Sequence, residues 1–334
     1  MFHDFRHKLA RRLALRRMFA LALAACAAPA LAGTDAFPSK SIAVVVPMSP
    51  GGATDVLARL LAQHLTQALG QPVVVENKPG ATGSIGAQHV ARADPEGYTL
   101  LLAPSSVAVV NPLVSKVPYD FEHDFRPVGL LAHAETVLVA SSASGLKSLN
   151  DVIRYAKQNP GKLKFGSNGQ GGALHLGAEF LQQAAGIELT HIPYKGASQA
   201  ETALASGEID LMVTNTISAM PHIRAGRLVA LAIASPGSSR ELPQVPAASA
   251  TLPGYAVDTW LGLYAPARTP DAVVARLNAA TNAFLGEAAT QEALRNRGFE
   301  PAPGTPAAAL QFQRGEAAMW EKVVTQAKAR GSLE

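Results

Sequence analysis

The sequence predicts an α/β fold with mainly parallel sheets, built as two lobes with a ligand cleft between them. Three observations point there. From Ser41 onward, short apolar runs such as Ile42–Val46 alternate with amphipathic helical stretches, the pattern of strands covered by helices on both faces. Glycine-rich turns join strand to helix at residues 47–55 and 166–175, and ligands of such folds bind at the carboxyl ends of strands. Two extended apolar stretches, residues 127–140 and 255–266, read as crossings from one unit to another and back. With 334 residues, 48% of them hydrophobic, the chain has material for two domains.

Residues 1–32 stand apart from this pattern. They hold six basic side chains and one acidic, leaving 23 basic and 24 acidic of the chain's 29 and 25 for the remainder. The basic start, the apolar run from Met18 and the small-residue site Ala30-Leu31-Ala32 read as a secretory signal peptide. Arg16-Arg17-Met18-Phe19 resembles a twin-arginine signal. Leu23-Ala24-Ala25-Cys26 resembles a lipoprotein box, so a lipid anchor at Cys26 stands as the alternative to a free periplasmic protein. The position of Ala30-Leu31-Ala32, just before a polar linker, favours the free form.

The first strand, Ile42–Val46, is broken by Pro47-Met48-Ser49-Pro50-Gly51-Gly52. A helix follows over Ala53–Leu69, with Val56, Leu57, Leu60, Leu61 and Leu65 on one face and Asp55 at its dipole-favoured start. Gly70 and Pro72 stop it, and a second strand covers residues 73–76. A turn at 80–86, a helix at 84–92 and a strand at 98–103 repeat the cycle. The second unit reads as strand 137–140, helix 149–158, strand 163–166, helix 174–185, strand 189–193, helix 197–206, and strands 209–213 and 229–234. Helices at 270–286, 290–297 and 306–330 close the chain. The first lobe is thus expected at 33–137 plus 256–334 and the second at 138–255.

Several chemistries are excluded or disfavoured. One cysteine forms no internal disulfide and no cysteine-based zinc cage. The seven histidines after residue 32 are scattered, with no metal-ligand spacing on one helix; His175, beside the second glycine turn, is the best placed for a site. Gly166-Ser167-Asn168-Gly169-Gln170-Gly171-Gly172 lacks the P-loop lysine and the dinucleotide-binding spacing. No nucleophile elbow, zinc-protease or S-x-x-K motif set appears. Basic residues form no aromatic-interleaved patch, so nucleic acid is not an expected partner. Neither catalysis nor a cofactor nor a metal is expected. What remains is a pair of glycine turns, each with free helix-start amides suited to an anion and each also readable as an ordinary tight turn.

As a set these segments resemble the Bug-type extracytoplasmic solute-binding proteins of tripartite tricarboxylate transporters. The resemblance rests on Pro50-Gly51-Gly52-Ala53-Thr54-Asp55, Val75-Glu76-Asn77-Lys78-Pro79-Gly80, Asp94-Pro95-Glu96-Gly97-Tyr98, Asp124-Phe125-Arg126-Pro127-Val128-Gly129, the 166–171 turn and His191-Ile192-Pro193-Tyr194-Lys195-Gly196. It implies a type II periplasmic-binding-protein fold, two lobes closing on a small organic carboxylate, and no catalysis. It also implies a first carboxylate loop at Pro47, Met48, Ser49, Pro50, Gly51 and Gly52, closed by Asp55, and a wall at Ser105 and Ser106. The second lobe would contribute Ser167, Asn168, Gly169, Gly171, Gly172, His175, Tyr194, Lys195, Gly196, Val213 and Asn215. Met48 stands where the family often has an aromatic residue, Gly172 for a serine and Val213 for a phenylalanine. The smaller groups at 172 and 213 are expected to leave room for a different or larger ligand. The implied partners are the membrane subunits of a transporter, with a membrane sensor as the alternative, and the implied state is a monomer. A periplasmic hydrolase on the same scaffold is the further alternative.

Overall fold

β1 (Ile42–Val46) is buried at every position but Ala43, as a continuous apolar run demands of an inner strand. It belongs to a computed structural model that describes residues 37–333 except Lys195. The expected leader at 1–32 and the expected ligand residue Lys195 lie outside the described residues.

Two sheets organise the chain. The first holds β1, β2 (Val73–Asn77), β3 (Thr99–Pro104), β4 (Phe125–Ala134), β10 (Thr259–Pro266) and β11 (Phe299–Pro301), in the order β11-β4-β10-β3-β1-β2. The second holds β5 (Thr136–Ser141), β6 (Lys164–Ser167), β7 (Thr190–Pro193), β8 (Leu211–Asn215) and β9 (Leu228–Ile233), in the order β7-β6-β8-β5-β9. β1, β2 and β3 pair in parallel, as do β6, β7 and β8. The expected parallel pairing therefore holds for the nucleus of each sheet and not beyond it. β10 runs antiparallel to both β3 and β4, and β5 antiparallel to both β8 and β9. The reason is the route of the chain: β10 brings it back to the first sheet against β4, which led it out, and β5 brings it into the second sheet against β9, which leads it out.

The two sheets meet at two crossings, between Ala134 and Thr136 and between Val257 and Thr259. They are clipped to each other by side chains. The Thr136 hydroxyl donates to the Val257 carbonyl (2.6 Å), and the Thr259 hydroxyl lies 3.0 Å from the Ala134 carbonyl and 3.3 Å from Asn215 Oδ1. Threonine suits this place because its hydroxyl can donate to a backbone carbonyl at the crossing.

The helices of eight residues or more are α1 (Ala53–Leu69), α2 (Ser84–Ala91), α3 (Leu149–Gln158), α4 (Ala173–Ala185), α5 (Ala197–Ser206), α6 (Thr216–Arg224), α7 (Asp271–Gly286), α8 (Ala288–Arg295) and α9 (Pro306–Ala329). α1 buries Leu57, Leu61 and Leu65 completely and ends at Gly70 in the left-handed conformation, its N–H bonded to Thr66. α9 starts with Thr305 capping the Ala308 N–H and Pro306 in its first turn. It packs against β4 of the first sheet and α4 of the second. α6 escapes a reading by pattern because Pro221 interrupts it. The helical stretches Ser106–Val110 and Asn111–Val114 after β3 escape because their apolar run lacks helical periodicity.

Candidate functional site

Parallel strands carry their carboxyl ends to one edge, and the loops after β1 and β3 leave the first sheet together. The loop after β1 buries Pro47, half-buries Met48 and exposes Ser49, Pro50, Gly51 and Gly52. α1 then begins at Gly52 with no side-chain cap. Ser105 is buried and Ser106 half-buried at the end of β3.

Asp55 gives this loop its shape. Its Oδ2 accepts from the Gly51 N–H (2.9 Å) and Arg59 Nε (2.9 Å), its Oδ1 from Arg59 Nη2 (3.0 Å) and Asn77 Nδ2 (2.9 Å). Those four bonds use the whole acceptor capacity of a carboxylate. The Arg59 hydrogen bond, with those from Gly51 and Asn77, holds its pKa down at about 2 against the cost of burial. Asp55 is thus a brace for the loop, with nothing left over for a ligand.

Asn77, at the end of β2, also donates to the Met48 carbonyl (3.2 Å), fixing the loop from behind. The turn at 80–83 supports it from the side. A Cβ on Gly83 would fall 3.3 Å from the Pro47 carbonyl and 3.4 Å from Met48 Cε. In that turn Ala81 and Thr82 sit in the left-handed region at φ 46° and 54°, and Asn111 Nδ2 holds the Thr82 carbonyl at 2.7 Å. Asn77, Thr82 and Asn111 were not among the expected site residues. The Val75–Gly80 segment of the family resemblance and the turn read at 80–86 carried the sequence signal for this corner.

On the second sheet the loops after β6, β7 and β8 share one edge by the same parallel logic. Residues 168–172 leave β6 and enter α4 at Gly172, again without a side-chain cap. Two buried side chains hold this loop from inside. Ser167 Oγ donates to the Gly169 carbonyl (3.0 Å) and accepts from the Gly169 N–H (3.2 Å). His175 Nδ1 accepts from the Gly171 N–H (3.1 Å), which puts the imidazole proton on Nε2. His175 stacks on His191 at 4.0 Å, and His191 stacks on Phe165 at 4.7 Å and meets Ser167 Oγ at 2.7 Å. Burial lowers His175 to about pKa 3, helped by the His191 charge, and lowers His191 to about 4. Both rings are neutral at pH 7, burial outweighing the Glu179 carboxylate that lies 3.9 Å from His175 Nε2. Ser167 and His175 are therefore internal supports.

The room expected for a larger ligand at positions 172 and 213 is absent. Val213 is completely buried, with Cγ1 3.4 Å from where a Cβ on Gly177 of α4 would stand. It forms core, and its small size makes no room for a ligand. At Gly172 the supposed space is taken by Asn168, whose Oδ1 lies 2.9 Å from an added Cβ. The Tyr194 hydroxyl donates to Glu208 (3.0 Å), while the Tyr194 carbonyl faces Gly169. Gly196 starts α5 uncapped, and half-buried Asn215 bonds to Thr259 of the first sheet. The two halves touch at Gly171, where an added Cβ would meet Val114 at 3.2 Å. Cavities of about 600 and 870 Å³ lie away from these residues, the first beside Lys40, His89, Arg92 and Tyr98, the second beside His133, Ile217, Arg295 and Phe299.

Residues 57–329 match the family described as Tripartite tricarboxylate transporter family receptor. The chain is 37% identical over 325 residues to Protein BugT of Bordetella pertussis, covering 96% of this chain and 99% of that one. Among solved structures it is similar to Rpa4515 of R. palustris with adipate, at 34% identity and TM-score 0.77, covering 87% of this chain and 98% of that one. It is likewise similar to MatC (Rpa3494) of Rhodopseudomonas palustris with bound malate, at 33% identity and TM-score 0.73, covering 86% of this chain and all of that one. The two-sheet architecture, the paired glycine loops and these matches agree: the chain belongs to the tripartite tricarboxylate transporter receptor family of solute-binding proteins.

Proposed function

We propose that this receptor binds a small organic carboxylate in the periplasm, closes its two lobes on it and delivers it to the membrane subunits of a tripartite transporter. One observation carries the reading. α1 and α4 both begin at glycines with no side-chain cap, each at the carboxyl edge of its own sheet. Their first-turn N–H groups and dipoles favour a negative group, and neither N-cap residue takes them with a side-chain cap. Adipate and malate in the two similar structures support a carboxylate as the ligand class.

In this reading the backbone N–H groups of Ser49, Gly52, Asn168 and Gly196, with those of the first turns of α1 and α4, grip the carboxylate, on loops whose shape is held by the Gly51–Asp55 and Gly169–Ser167 bonds. Met48, Ser105, Ser106 and Asn215 read the rest of the molecule. A ligand that bridges both edges stabilises the closed state only by the contacts it makes there and not in the open one. The leader, cut after Ala32, delivers the protein to the periplasm as a free monomer. No helix among the described residues is long and apolar enough to cross a membrane.

Calorimetry with malate, adipate and their monoamides tests the grip. Losing a charge-assisted hydrogen bond costs about 1.5–3 kcal/mol, so the acid that binds should bind at least about tenfold more tightly than its amide. Equal affinities would sink the carboxylate grip.

A further inference from the structure

Two side chains hold the second glycine loop, Ser167 at Gly169 and His175 at Gly171, and both are tied to one buried stack. His175 lies against His191, His191 lies against Phe165, and His191 Nε2 meets Ser167 Oγ. The Ser167 proton goes to the Gly169 carbonyl, so His191 Nε2 is the donor in that pair. The stack fixes the plane of the His175 ring and therefore where its two nitrogens face. Nδ1 faces the loop and takes the Gly171 N–H at 3.1 Å. Nε2 faces inward, completely buried and without a hydrogen-bond partner.

A neutral imidazole carries one proton, which either nitrogen can hold. The loop needs it on Nε2, because a proton on Nδ1 would face the Gly171 N–H donor to donor. One turn further along α4, Glu179 Oε1 lies 3.9 Å from Nε2 on a side chain only 1% exposed. That is too long for a hydrogen bond, yet at such burial a carboxylate attracts an N–H and repels a lone pair. The rest of Glu179 is occupied. Its Oε1 accepts from Gln182 Nε2 (3.0 Å), and Gln182 is kept from turning round because its own Oε1 accepts from the Leu189 N–H (2.8 Å). Its Oε2 accepts from Arg330 (2.9 Å) and Ser332 (2.8 Å), close to the end of the chain.

We propose that Glu179 is a positioning residue for ligand binding: it holds the His175 proton on Nε2, leaves Nδ1 bare for the Gly171 N–H and so sets the shape of the second loop, while Arg330 and Ser332 hold Glu179. This rests on the carboxylate reading above, in which that loop grips the ligand. The affinity of the cleft then depends on a contact between α4 and the last turn of the chain. Losing one neutral hydrogen bond in the loop should weaken binding at least about threefold.

The test uses Glu179→Gln. Arg330 and Ser332 both donate to the far oxygen, so the new amide sets its carbonyl there and its NH2 toward His175 and Gln182. The His175 proton should then move to Nδ1. Long-range nitrogen–proton correlation spectra of uniformly 15N-labelled protein at pH 7 read the tautomer, with His175 assigned by its loss in His175→Asn or by elimination in His191→Gln. Wild type should show a bare Nδ1 on His175. Glu179→Gln should show a bare Nε2, with His191 unchanged, and should bind malate or adipate, whichever the wild type binds, at least about threefold more weakly by calorimetry. Adding Arg330→Met frees the amide to turn its carbonyl back toward His175, so the double variant should regain the wild-type tautomer and affinity, which a merely structural loss would not do. A proton on Nδ1 in wild type, an unmoved proton in Glu179→Gln, or no recovery in the double variant would overturn the proposal. Should Glu179→Gln alone not fold, a proton on Nδ1 in the double variant overturns it equally. If the proton moves but the acid binds with wild-type affinity, the carboxylate reading stands and the positioning role falls. If neither acid binds wild type while the proton moves and returns as expected, the carboxylate reading fails and Glu179 still sets the loop.

Discussion

Asp55 carries four hydrogen bonds on two oxygens while only 3% exposed, so its charge is built into the first loop. Its pKa is lowered from the ordinary 3.8 to about 2, chiefly by Arg59. The sign follows from linkage: the unfolded chain takes up a proton first, so the stabilisation is complete above pH 4 and is lost as pH falls toward 2. The shift corresponds to about 2 kcal/mol. His175 and His191 act in the same direction over a higher window, because burial lowers both from 6.5 and the unfolded state protonates first as pH falls below about 6.5. Asp55→Asn should therefore lose about 2 kcal/mol at pH 7. It should keep the decline between pH 6.5 and 4 and lack much of the further decline below pH 4. Urea unfolding at pH 7, 5 and 3 reads this directly, and an acid profile identical to wild type would show that Asp55 is not the brace described.

At the scale of elements, the two glycine-led helix starts differ in what a substitution can test. Gly52 has φ −76°, and an added Cβ meets only the Ser49 carbonyl at 3.7 Å. An aspartate there is a good N-cap: its carboxylate would take the first-turn amides for itself and repel an anion. Gly52→Asp should change stability by no more than about 0.5 kcal/mol and weaken carboxylate binding at least tenfold. Unchanged affinity would remove the first loop from the site. Gly171 offers no such clean test, because φ +76° and Val114 at 3.2 Å penalise any side chain whatever happens to the ligand.

The same contrast explains what could be read from sequence. The strand–glycine–helix junctions were legible because periodicity, turn glycines and dipole-favoured charges are local, and α1 was expected at its observed bounds. The burial of Val213 and the Tyr194–Glu208 bond were not legible because the partners, Gly177 and Glu208, are set by the fold and carry no local mark. The bracing of the first loop was equally hidden, since Asn77 reaches Asp55 across 22 positions of sequence.

For the whole molecule, α9 is the element that joins the halves. Its expected span agrees with the observed Pro306–Ala329 to within a residue, but its docking could not be read from its own pattern. Trp320, Val323, Val324 and Ala327 enter one buried cluster with Val45 and Leu101 of the first sheet and Phe165 and Leu176 of the second unit. Gln183 donates to the Val323 carbonyl (2.8 Å). Just beyond α9, Arg330 and Ser332 both reach Oε2 of Glu179, at 2.9 and 2.8 Å, on a glutamate only 1% exposed. Removing one partner of a buried ion pair costs about 3–5 kcal/mol, and the 39% exposure of the Arg330 side chain discounts that to about 1–3 kcal/mol here. Arg330→Met should show this loss in urea. Adding Glu179→Gln should recover part of it, since the stranded charge is then gone while Ser332 and Gln182 still have a polar partner. Because the core is continuous through α9, far-ultraviolet circular dichroism and tryptophan fluorescence should report one coincident transition in wild type and both variants. Separate transitions for the two probes, or no recovery in the double variant, would mean that α9 rests on the second unit without coupling it to the first.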